Sequence, residues 1–402
     1  MKKKTFIFKS LSVAVIALSA CMFASCLSDG DDTIILESGS KLGIPSDNLA
    51  DPAPKIDEPT VTLPNAVCTL VDENGSAVMN IDMTGVWNAN AGDWMTLYGT
   101  AYKGKGQNVW VSVAGTPKGI DVYNNAANTG RDIYTDIVFL VDNSGSMSEE
   151  AEAIARDIID WSEKLAKSGL NARFGCVGYG NSSHAVDGAL NITTASNLKT
   201  FLDQGHGTNR TEHFGGPDAD ALQNIAQSGS YENGSYNECG MVALHFANEN
   251  FNFRSGANRI YVNFTDEPNQ PNGVSQWSVE FLNPTMNPTM NPNSWNPANG
   301  TVHTVYSGYQ QNWSAYYENP ALMSTYTGGT VLYATSSFTD TETGNPVTLE
   351  SLPVTGAMQN SYIIRFTNVK DYMDGQPHEV KVTVISADGT VKAEKTYWVI
   401  FQ

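Results

Sequence analysis

A continuously apolar segment that ends in an acid constrains the fold of this 402-residue chain more than any other feature. Residues 136–141 read Asp-Ile-Val-Phe-Leu-Val, which is typical of a parallel strand buried on both faces of a sheet. An amphipathic helix is predicted over residues 148–167, because apolar side chains recur there on one face. A buried strand, a short polar turn and a helix in this order indicate one unit of an α/β fold.

The same alternation of strands and helices continues downstream. Further strands are predicted at residues 172–179, 259–264 and 302–306, and further helices at residues 241–248 and 320–326. We therefore predict a doubly wound, Rossmann-like α/β domain over residues 131–345.

Both flanks of this domain are β-rich. Residues 61–130 and 346–402 contain short stretches that alternate apolar and polar side chains, separated by turn sequences. Each segment is small for a hydrophobic core of its own. One hypothesis is that the two segments pair into a single β-sandwich, with the α/β domain inserted between its halves. In the alternative they flank the α/β domain as separate segments.

Residues 1–26 are predicted to be a targeting segment. Lysines at positions 2–4 precede an apolar stretch that is too short for a membrane-spanning helix. Cys21 and Cys26 each follow small residues, and the segment resembles a bacterial lipoprotein signal, in which such a cysteine carries acyl chains, palmitate among them. Cys26 is the preferred lipidation site, because the acidic residues 27–32 are similar to the surface-export tag of Bacteroidota lipoproteins. Cys21, which follows Leu-Ser-Ala, is the alternative.

This resemblance implies a location on the cell surface. The expected place is the outer membrane of a diderm bacterium, with the protein held by its lipid and facing the exterior. Residues 27–60 are polar and contain several prolines, so they are interpreted as a linker that holds the folded part away from the membrane.

The charge balance limits the partners that the chain can bind. The sequence contains 23 Lys and Arg against 42 Asp and Glu, which gives a net charge of −19. We expect no nucleic-acid partner, because phosphate contacts need basic patches. Cys68, Cys176 and Cys239 are interpreted as buried thiols, and no more than one pair could form among the three.

Oxygen-bearing side chains follow two of the predicted strands. Asp142, Ser144 and Ser146 stand at alternate positions after the first strand, and Asp266 follows the strand at 259–264. Ligand sites of open α/β sheets lie at the carboxyl ends of strands, so we expect these side chains to meet. Carboxylate and hydroxyl oxygens suit Mg²⁺, with Mn²⁺ or Ca²⁺ as alternatives, rather than zinc.

The spacing Asp-x-Ser-x-Ser with a downstream Asp266 resembles the von Willebrand factor A (vWA) domain and its metal-ion-dependent adhesion site. The resemblance covers about half of the chain and implies one further oxygen ligand. In integrin β subunits that ligand is a glutamate, which matches Glu238 here; Thr208 and Thr211 are the alternatives. Glu149 and Glu150 stand where those subunits place acids for an adjacent second metal, although acids at a helix start also complement its dipole.

The resemblance implies a cell-surface adhesin that binds a macromolecular ligand through a divalent cation. The expected partner is a protein whose acidic side chain completes the coordination of that cation. A structural or scaffolding envelope lipoprotein is one alternative. A glycan-binding surface protein is another, suggested by eight tryptophans and 17 tyrosines.

An enzymatic role is not expected. Ser144 or Ser146 would need a base such as His206 or His213, and the chain has no Gly-x-Ser-x-Gly elbow. It also has no phosphate-binding Gly-x-x-x-x-Gly-Lys loop and no dinucleotide fingerprint. Serines beside an acid at a strand end are better explained as metal ligands.

Overall fold

The computed structural model describes residues 43–88, 90–100, 106–124, 134–167, 170–180, 184–232, 238–283, 295, 299–309, 312–342, 344–349 and 354–402. The predicted signal segment, with Cys21 and Cys26, and residues 27–42 of the predicted linker lie outside these residues. Within the described ranges no helix has the length and apolar character needed to cross a membrane.

The described chain contains 17 strands and six α-helices. In chain order the strands are β1 (Ala66–Glu73), β2 (Ser76–Met83), β3 (Trp87–Asn88), β4 (Asp93–Trp94), β5 (Val109–Val113), β6 (Thr116–Lys118), β7 (Asp121–Asn124), β8 (Tyr134–Asp142), β9 (Asn171–Tyr179), β10 (Val186–Thr193), β11 (Phe214–Gly215), β12 (Asn258–Thr265), β13 (Thr301–Tyr306), β14 (Val331–Tyr333), β15 (Tyr362–Phe366), β16 (His378–Ile385) and β17 (Lys392–Val399). The helices are α1 (Ala151–Lys167), α2 (Ala195–Leu202), α3 (Ala219–Ala226), α4 (Gly240–Asn250), α5 (Ala321–Thr327) and α6 (Val354–Gln359).

A seven-stranded sheet forms the centre of the α/β domain, in the order β11-β10-β9-β8-β12-β13-β14. Apart from the two-residue β11, its strands follow the order 3-2-1-4-5-6 along the chain, which is the Rossmann order. All neighbouring pairs are parallel except β9 and β10. The prediction of a doubly wound α/β domain is confirmed by this topology, although the antiparallel β10 was not foreseen.

Strand β8 lies in the middle of the sheet and is covered on both faces. Ile137, Phe139 and Val141 contribute to one core together with α1 and α2. Val138 and Leu140 contribute to the opposite core, which includes α3, α4 and α5. This two-sided burial explains why residues 137–141 of the strand are all apolar, as expected for a central parallel strand.

The β-rich segments form two further four-stranded sheets, β1-β2-β15-β7 and β17-β16-β5-β6. Strand β15 pairs with β2, and β16 pairs with β5, both antiparallel. Each sheet therefore contains strands from both sides of the α/β domain in the sequence. One apolar core includes side chains of both sheets, among them Ile81, Val111, Ile364, Val382 and Tyr397.

The α/β domain and the β-rich unit are joined by direct contacts. The side-chain Nδ2 of Asn65 donates to the Gly300 carbonyl at 2.6 Å, and the backbone amide of Asn65 donates to Thr301 Oγ1 at 3.0 Å. Gly328 has a φ of +76° and ends α5, and a Cβ there would lie 2.4 Å from the Leu63 carbonyl oxygen. Only glycine permits this close approach.

Two predictions on local structure are refined. Helix α1 begins at Ala151 rather than at residue 148, because Gly145–Ser148 forms a 3₁₀ turn. Cys176 and Cys239 are buried, as predicted, whereas Cys68 is partly exposed.

Candidate metal centre at the strand ends

The sequence-predicted ligands meet where the strand order of the sheet reverses. Asp142 is the last residue of β8, and Asp266 directly follows β12, its neighbour in the sheet. The connections from β8 and β12 run to opposite sides of this point, which leaves a crevice at the carboxyl ends of the two strands. We call the group Asp142, Ser144, Ser146, Asp266 and Glu238 the strand-end site.

Hydrogen bonds connect the side chains of the motif. The hydroxyls of Ser144 and Ser146 lie 2.9 Å apart, and Ser146 Oγ donates to Asp266 Oδ1 at 3.1 Å. The Ser144 amide donates to Asp142 Oδ1 at 2.9 Å. The Ser146 hydroxyl thus joins residues 120 positions apart in the sequence, at the ends of two neighbouring strands.

Both carboxylate oxygens of Asp142 accept hydrogen bonds. Thr265 Oγ1 donates to Asp142 Oδ2 at 2.7 Å, opposite the bond from Ser144. Gly180, with a φ of +99°, follows β9 and leaves room for the carboxylate, since a Cβ there would lie 2.7 Å from Asp142 Oδ1. The carboxylate is 1 % exposed, so its orientation is fixed by its surroundings.

Glu238 lies in the same group of carboxylates. The side-chain Nε2 of Gln270 donates to Glu238 Oε2 at 2.7 Å, and the backbone amide of Gln270 donates to the backbone carbonyl of Glu238 at 3.2 Å. Glu267, directly after Asp266, is half-buried beside them. The structure therefore brings the preferred further ligand to the site, together with one acid that was not predicted.

The electrostatics of the site favour a bound cation. Burial, assisted by the charge of Asp266, raises the pKa of Asp142 to about 7 against the hydrogen bonds from Ser144 and Thr265. Burial and then the charges of Asp142 and Glu267 raise the pKa of Glu238 to about 7. Burial also raises the pKa of Asp266. No described lysine, arginine or histidine forms an ion pair with these carboxylates.

Thr211 and Thr208, the two alternatives to Glu238, lie outside the hydrogen-bonded group of the strand-end site. Thr211 Oγ1 donates to Asn143 Oδ1 at 2.5 Å, so its hydroxyl is bonded to Asn143 rather than to the side chains of the strand-end site. Thr208 belongs to the 3₁₀ turn Gly207–Arg210, which Glu152 of α1 holds through the Gly207 amide at 2.8 Å. This turn borders the motif, yet neither hydroxyl is hydrogen-bonded to its carboxylates or serines.

Glu149 and Glu150 differ in their surroundings. Glu149 is exposed. Glu150 is 1 % exposed, and its Oε2 has no hydrogen-bond partner among the residues that the structure describes. Burial raises the pKa of Glu150 against a hydrogen bond with Ser307, and the charge of Asp266 adds to the increase. Glu150 is therefore a buried acid beside the strand-end site rather than a solvated acid at a helix start.

The serines lack the arrangement of a nucleophile. Ser144 and Ser146 bond to each other and to Asp266, and among the described residues neither is bonded to a histidine. The His213 ring packs on Phe201, with ring centroids 4.2 Å apart, and burial lowers its pKa.

The donor set fits a hard divalent cation. In the part of the chain that the structure describes, no three His, Cys, Asp or Glu side chains form a ready metal cage. A cation held here would instead take its protein ligands from a mixture of carboxylate and hydroxyl oxygens, with water at the remaining positions. Mg²⁺ in proteins commonly has this kind of shell.

Thr265, Glu267 and Gln270 support the site but were not predicted. Thr265 and Glu267 flank Asp266, so their position was the only signal that the sequence offered. Gln270 lies 32 residues from Glu238 and gave no local signal.

Comparisons with known proteins identify no family. No family model matches the chain, and no curated protein matches it. Among solved structures, an aerotolerance-related membrane protein from Bacteroides fragilis has 13 % identity and a TM-score of 0.29, covering 50 % of this chain and 93 % of that protein. The VWA domain of SpRpn10 has 11 % identity and a TM-score of 0.29, covering 50 % of this chain and 89 % of that domain.

A pilus adhesin, SpaC from Lactobacillus rhamnosus GG, is also similar. It has 11 % identity and a TM-score of 0.30, covering 86 % of this chain and 48 % of that protein. At these identities and TM-scores we assign the chain to no family. Its Rossmann-like fold class rests on its own strand order.

Proposed function

We propose that the strand-end site binds a divalent cation, Mg²⁺ in the first place, and that it thereby captures an acidic side chain of a partner protein. The observation that supports this most strongly is the convergence of Asp142, Ser144, Ser146 and Asp266 at the point where the strand order reverses. This combination is what a vWA domain with a metal-ion-dependent adhesion site would need.

The chemistry follows from the type of ligand. Serine hydroxyls are neutral, so Ser144 and Ser146 would hold the cation without cancelling its charge. The cation supplies a positive charge that attracts a partner carboxylate into a position otherwise taken by water. Asp142 and Asp266 would hold the cation from below, since both are fixed at strand ends. An interface anchored in this way can depend on a single side chain of the partner.

The rest of the chain would present this site. We propose that the two four-stranded sheets pack as a β-sandwich platform, which their common core supports. A lipid at Cys26 would attach the protein to the outer membrane, with the site facing the exterior. Mass spectrometry of the mature protein would find the acyl chains at Cys26; acyl chains at Cys21, or none at all, would contradict this anchor.

Calorimetric titration with MgCl₂ tests the cation site directly. We expect one binding event in the wild type and none in Asp142→Ala. Asp160→Asn is a matched control, because Asp160 is an exposed acid on α1. Equal binding by Asp142→Ala and the wild type would overturn the proposal.

The adhesin role needs a second measurement. Pull-down of partner proteins from cell-surface extracts should succeed in Mg²⁺ and fail in excess chelator. Recovery of a host or matrix protein supports an adhesin, whereas recovery of a neighbouring envelope protein supports the scaffolding role. Partners that are retained equally in chelator would contradict cation-dependent capture.

A further inference from the structure

Five exposed aromatic side chains lie on β14 and on the chain that connects it to β13, which leaves the sheet next to Asp266, and cation binding does not use them. They are Tyr309, Trp313, Tyr316, Tyr317 and Tyr333, which we call the aromatic surface. Tyr309 is 85 % exposed and Tyr316 is 68 % exposed. Large aromatic side chains that are exposed as a group mark interaction sites, and tyrosine and tryptophan are enriched where interfaces gain most of their binding energy.

The chain places the aromatic surface next to Asp266. After β13, the Ser307 amide donates to the Thr265 carbonyl at 3.0 Å. A Cβ on Gly308 would lie 1.8 Å from the Asp266 carbonyl oxygen, so the backbone that leads into Tyr309 packs directly on Asp266. Beyond the aromatics, Glu318 and Asn269 exchange backbone hydrogen bonds of 2.9 and 3.0 Å.

The same region is held in place by several contacts. The Glu318 carboxylate accepts hydrogen bonds from Asn269 Nδ2 at 2.8 Å, Ser278 Oγ at 2.6 Å and the Val279 amide at 2.8 Å. These bonds fix the end of the segment that carries the exposed aromatics. A partner would therefore meet a partly preorganised surface, which lowers the entropic cost of binding.

Edge-to-face contacts with a buried ring support two of the rings. Tyr306 of β13 is buried, and its ring centroid lies 6.0 Å from that of Trp313 and 6.4 Å from that of Tyr333. Trp313 and Tyr333 are thus partly structural, whereas Tyr309, Tyr316 and Tyr317 have no ring partner of this kind among the described residues. The latter three are the rings most available to a ligand.

The part of the sequence that carries the aromatic surface contains charges of one sign. Between Arg259 and Arg365 the sequence contains seven acidic residues and no lysine or arginine. Both β13 and the aromatic surface belong to this stretch, and its acids include Asp266, Glu267 and Glu318. Aromatic faces carry negative electrostatic potential, so the rings and the acids attract the same kind of group.

We propose that the aromatic surface binds arginine or lysine side chains of a protein partner through cation–π contacts. The inference rests on the proposed function for one point only, namely that a carboxylate of the same partner binds the cation at the neighbouring strand-end site. The partner is thus a protein face on which basic side chains surround one carboxylate. Tyr309, Tyr316 and Tyr317 would receive the basic side chains while the cation site receives the acid.

The test uses a probe that cannot bind the cation site. The probe is a fluorescent peptide of alternating arginine and glycine, acetylated and amidated so that it carries no carboxylate, and anisotropy is measured on the full protein in EDTA. We expect Tyr309→Ala/Tyr316→Ala/Tyr317→Ala to weaken binding about tenfold or more, since each exposed cation–π contact is worth a factor of roughly three. The control Trp87→Ala/Tyr98→Ala, which removes exposed aromatics from the β-rich unit, should change binding less than about twofold.

Further probes identify the chemistry. A citrulline peptide keeps the shape of the arginine peptide without its charge and should bind about tenfold more weakly. Equal binding of the two peptides, or equal binding by the triple variant and the wild type, would overturn the proposal. So would binding of maltohexaose that the triple variant loses, because the surface would then recognise glycans. Failure of the MgCl₂ titration does not affect these outcomes, since the cation is absent from the assay.

Discussion

Replacing Asp142 by asparagine should stabilise the cation-free protein while abolishing its response to Mg²⁺. Asp142 is 1 % exposed, and burial together with Asp266 raises its pKa from 3.8 to about 7. Each unit of pKa difference between the folded and unfolded states is worth about 1.4 kcal/mol, so ionised Asp142 destabilises the fold by up to about 4 kcal/mol above pH 7. The folded state retains this proton to higher pH than the unfolded state does, so stability falls as the pH rises from about 4 to 7.

Asparagine can preserve the local hydrogen bonds. Its side-chain oxygen would accept from the Ser144 amide in place of Asp142 Oδ1, now at 2.9 Å. Its side-chain nitrogen would donate to Thr265 Oγ1, and that hydroxyl would donate to the Glu267 carbonyl at 3.1 Å. The substitution therefore removes a charge without leaving a buried polar group unpaired.

Urea denaturation in EDTA at about pH 5 and pH 8 measures this effect. We expect Asp142→Asn to raise the free energy of unfolding, with a gain about 2 kcal/mol larger at pH 8 than at pH 5. Addition of Mg²⁺ should stabilise the wild type and the control Asp160→Asn but not Asp142→Asn. A loss of stability at both pH values would refute the reasoning, because the carboxylate would then be favourable in the cation-free fold.

Three other substitutions test further parts of the structure. Gly180→Ala should lower stability by about 1–3 kcal/mol and weaken Mg²⁺ binding, because the added Cβ would lie 2.7 Å from Asp142 Oδ1 at a positive φ; denaturation and calorimetry measure the two effects. Lys395→Met should raise stability by up to about 5 kcal/mol at pH 6 and by less at pH 9 in urea denaturation, since burial lowers the pKa of Lys395 to about 7 and the charged form is costly below that pH. Asp136→Ala should cost about 3–5 kcal/mol in thermal unfolding, because it leaves Arg254 without its buried partner at 2.7 Å.

Matched controls separate these effects from general damage. Gly273→Ala also replaces a glycine of positive φ, but nothing lies within 4 Å of its Cβ, so it should leave Mg²⁺ binding unchanged. Glu163→Ala removes an exposed ion pair with Lys167 and should change stability by less than about 0.5 kcal/mol. A Lys395→Met gain that is equal at pH 6 and pH 9 would contradict the lysine prediction. An Asp136→Ala cost as small as that of Glu163→Ala would contradict the ion-pair prediction.

The motif could be predicted because its geometry is largely local. Asp142 ends one strand, Ser144 and Ser146 follow it at alternate positions, and a turn at this place can direct the three side chains to one point. Asp266 could be added because the carboxyl ends of parallel strands meet at one edge of a sheet. The prediction needed only the type of each strand, not the full fold.

Other parts of the site depend on distant contacts. Gln270 donates a hydrogen bond to Glu238, and Thr265 of β12 donates one to Asp142 of the neighbouring strand β8. Glu150 is hydrogen-bonded to Ser307, far along the chain. No local pattern specifies these pairs, since each arises from the order of strands in the sheet.

The sequence alone determined that strands, turns and helices alternate in the middle of the chain, because apolar periodicity reports burial directly. It also determined which oxygen-bearing side chains stand at the strand ends. Only the tertiary structure decided the antiparallel direction of β10, the pairing of β15 with β2, and the packing on Asp266 of the backbone that leads into Tyr309. These features depend on packing and strand pairing between distant segments. The local sequence of one segment does not specify which distant segment it will contact.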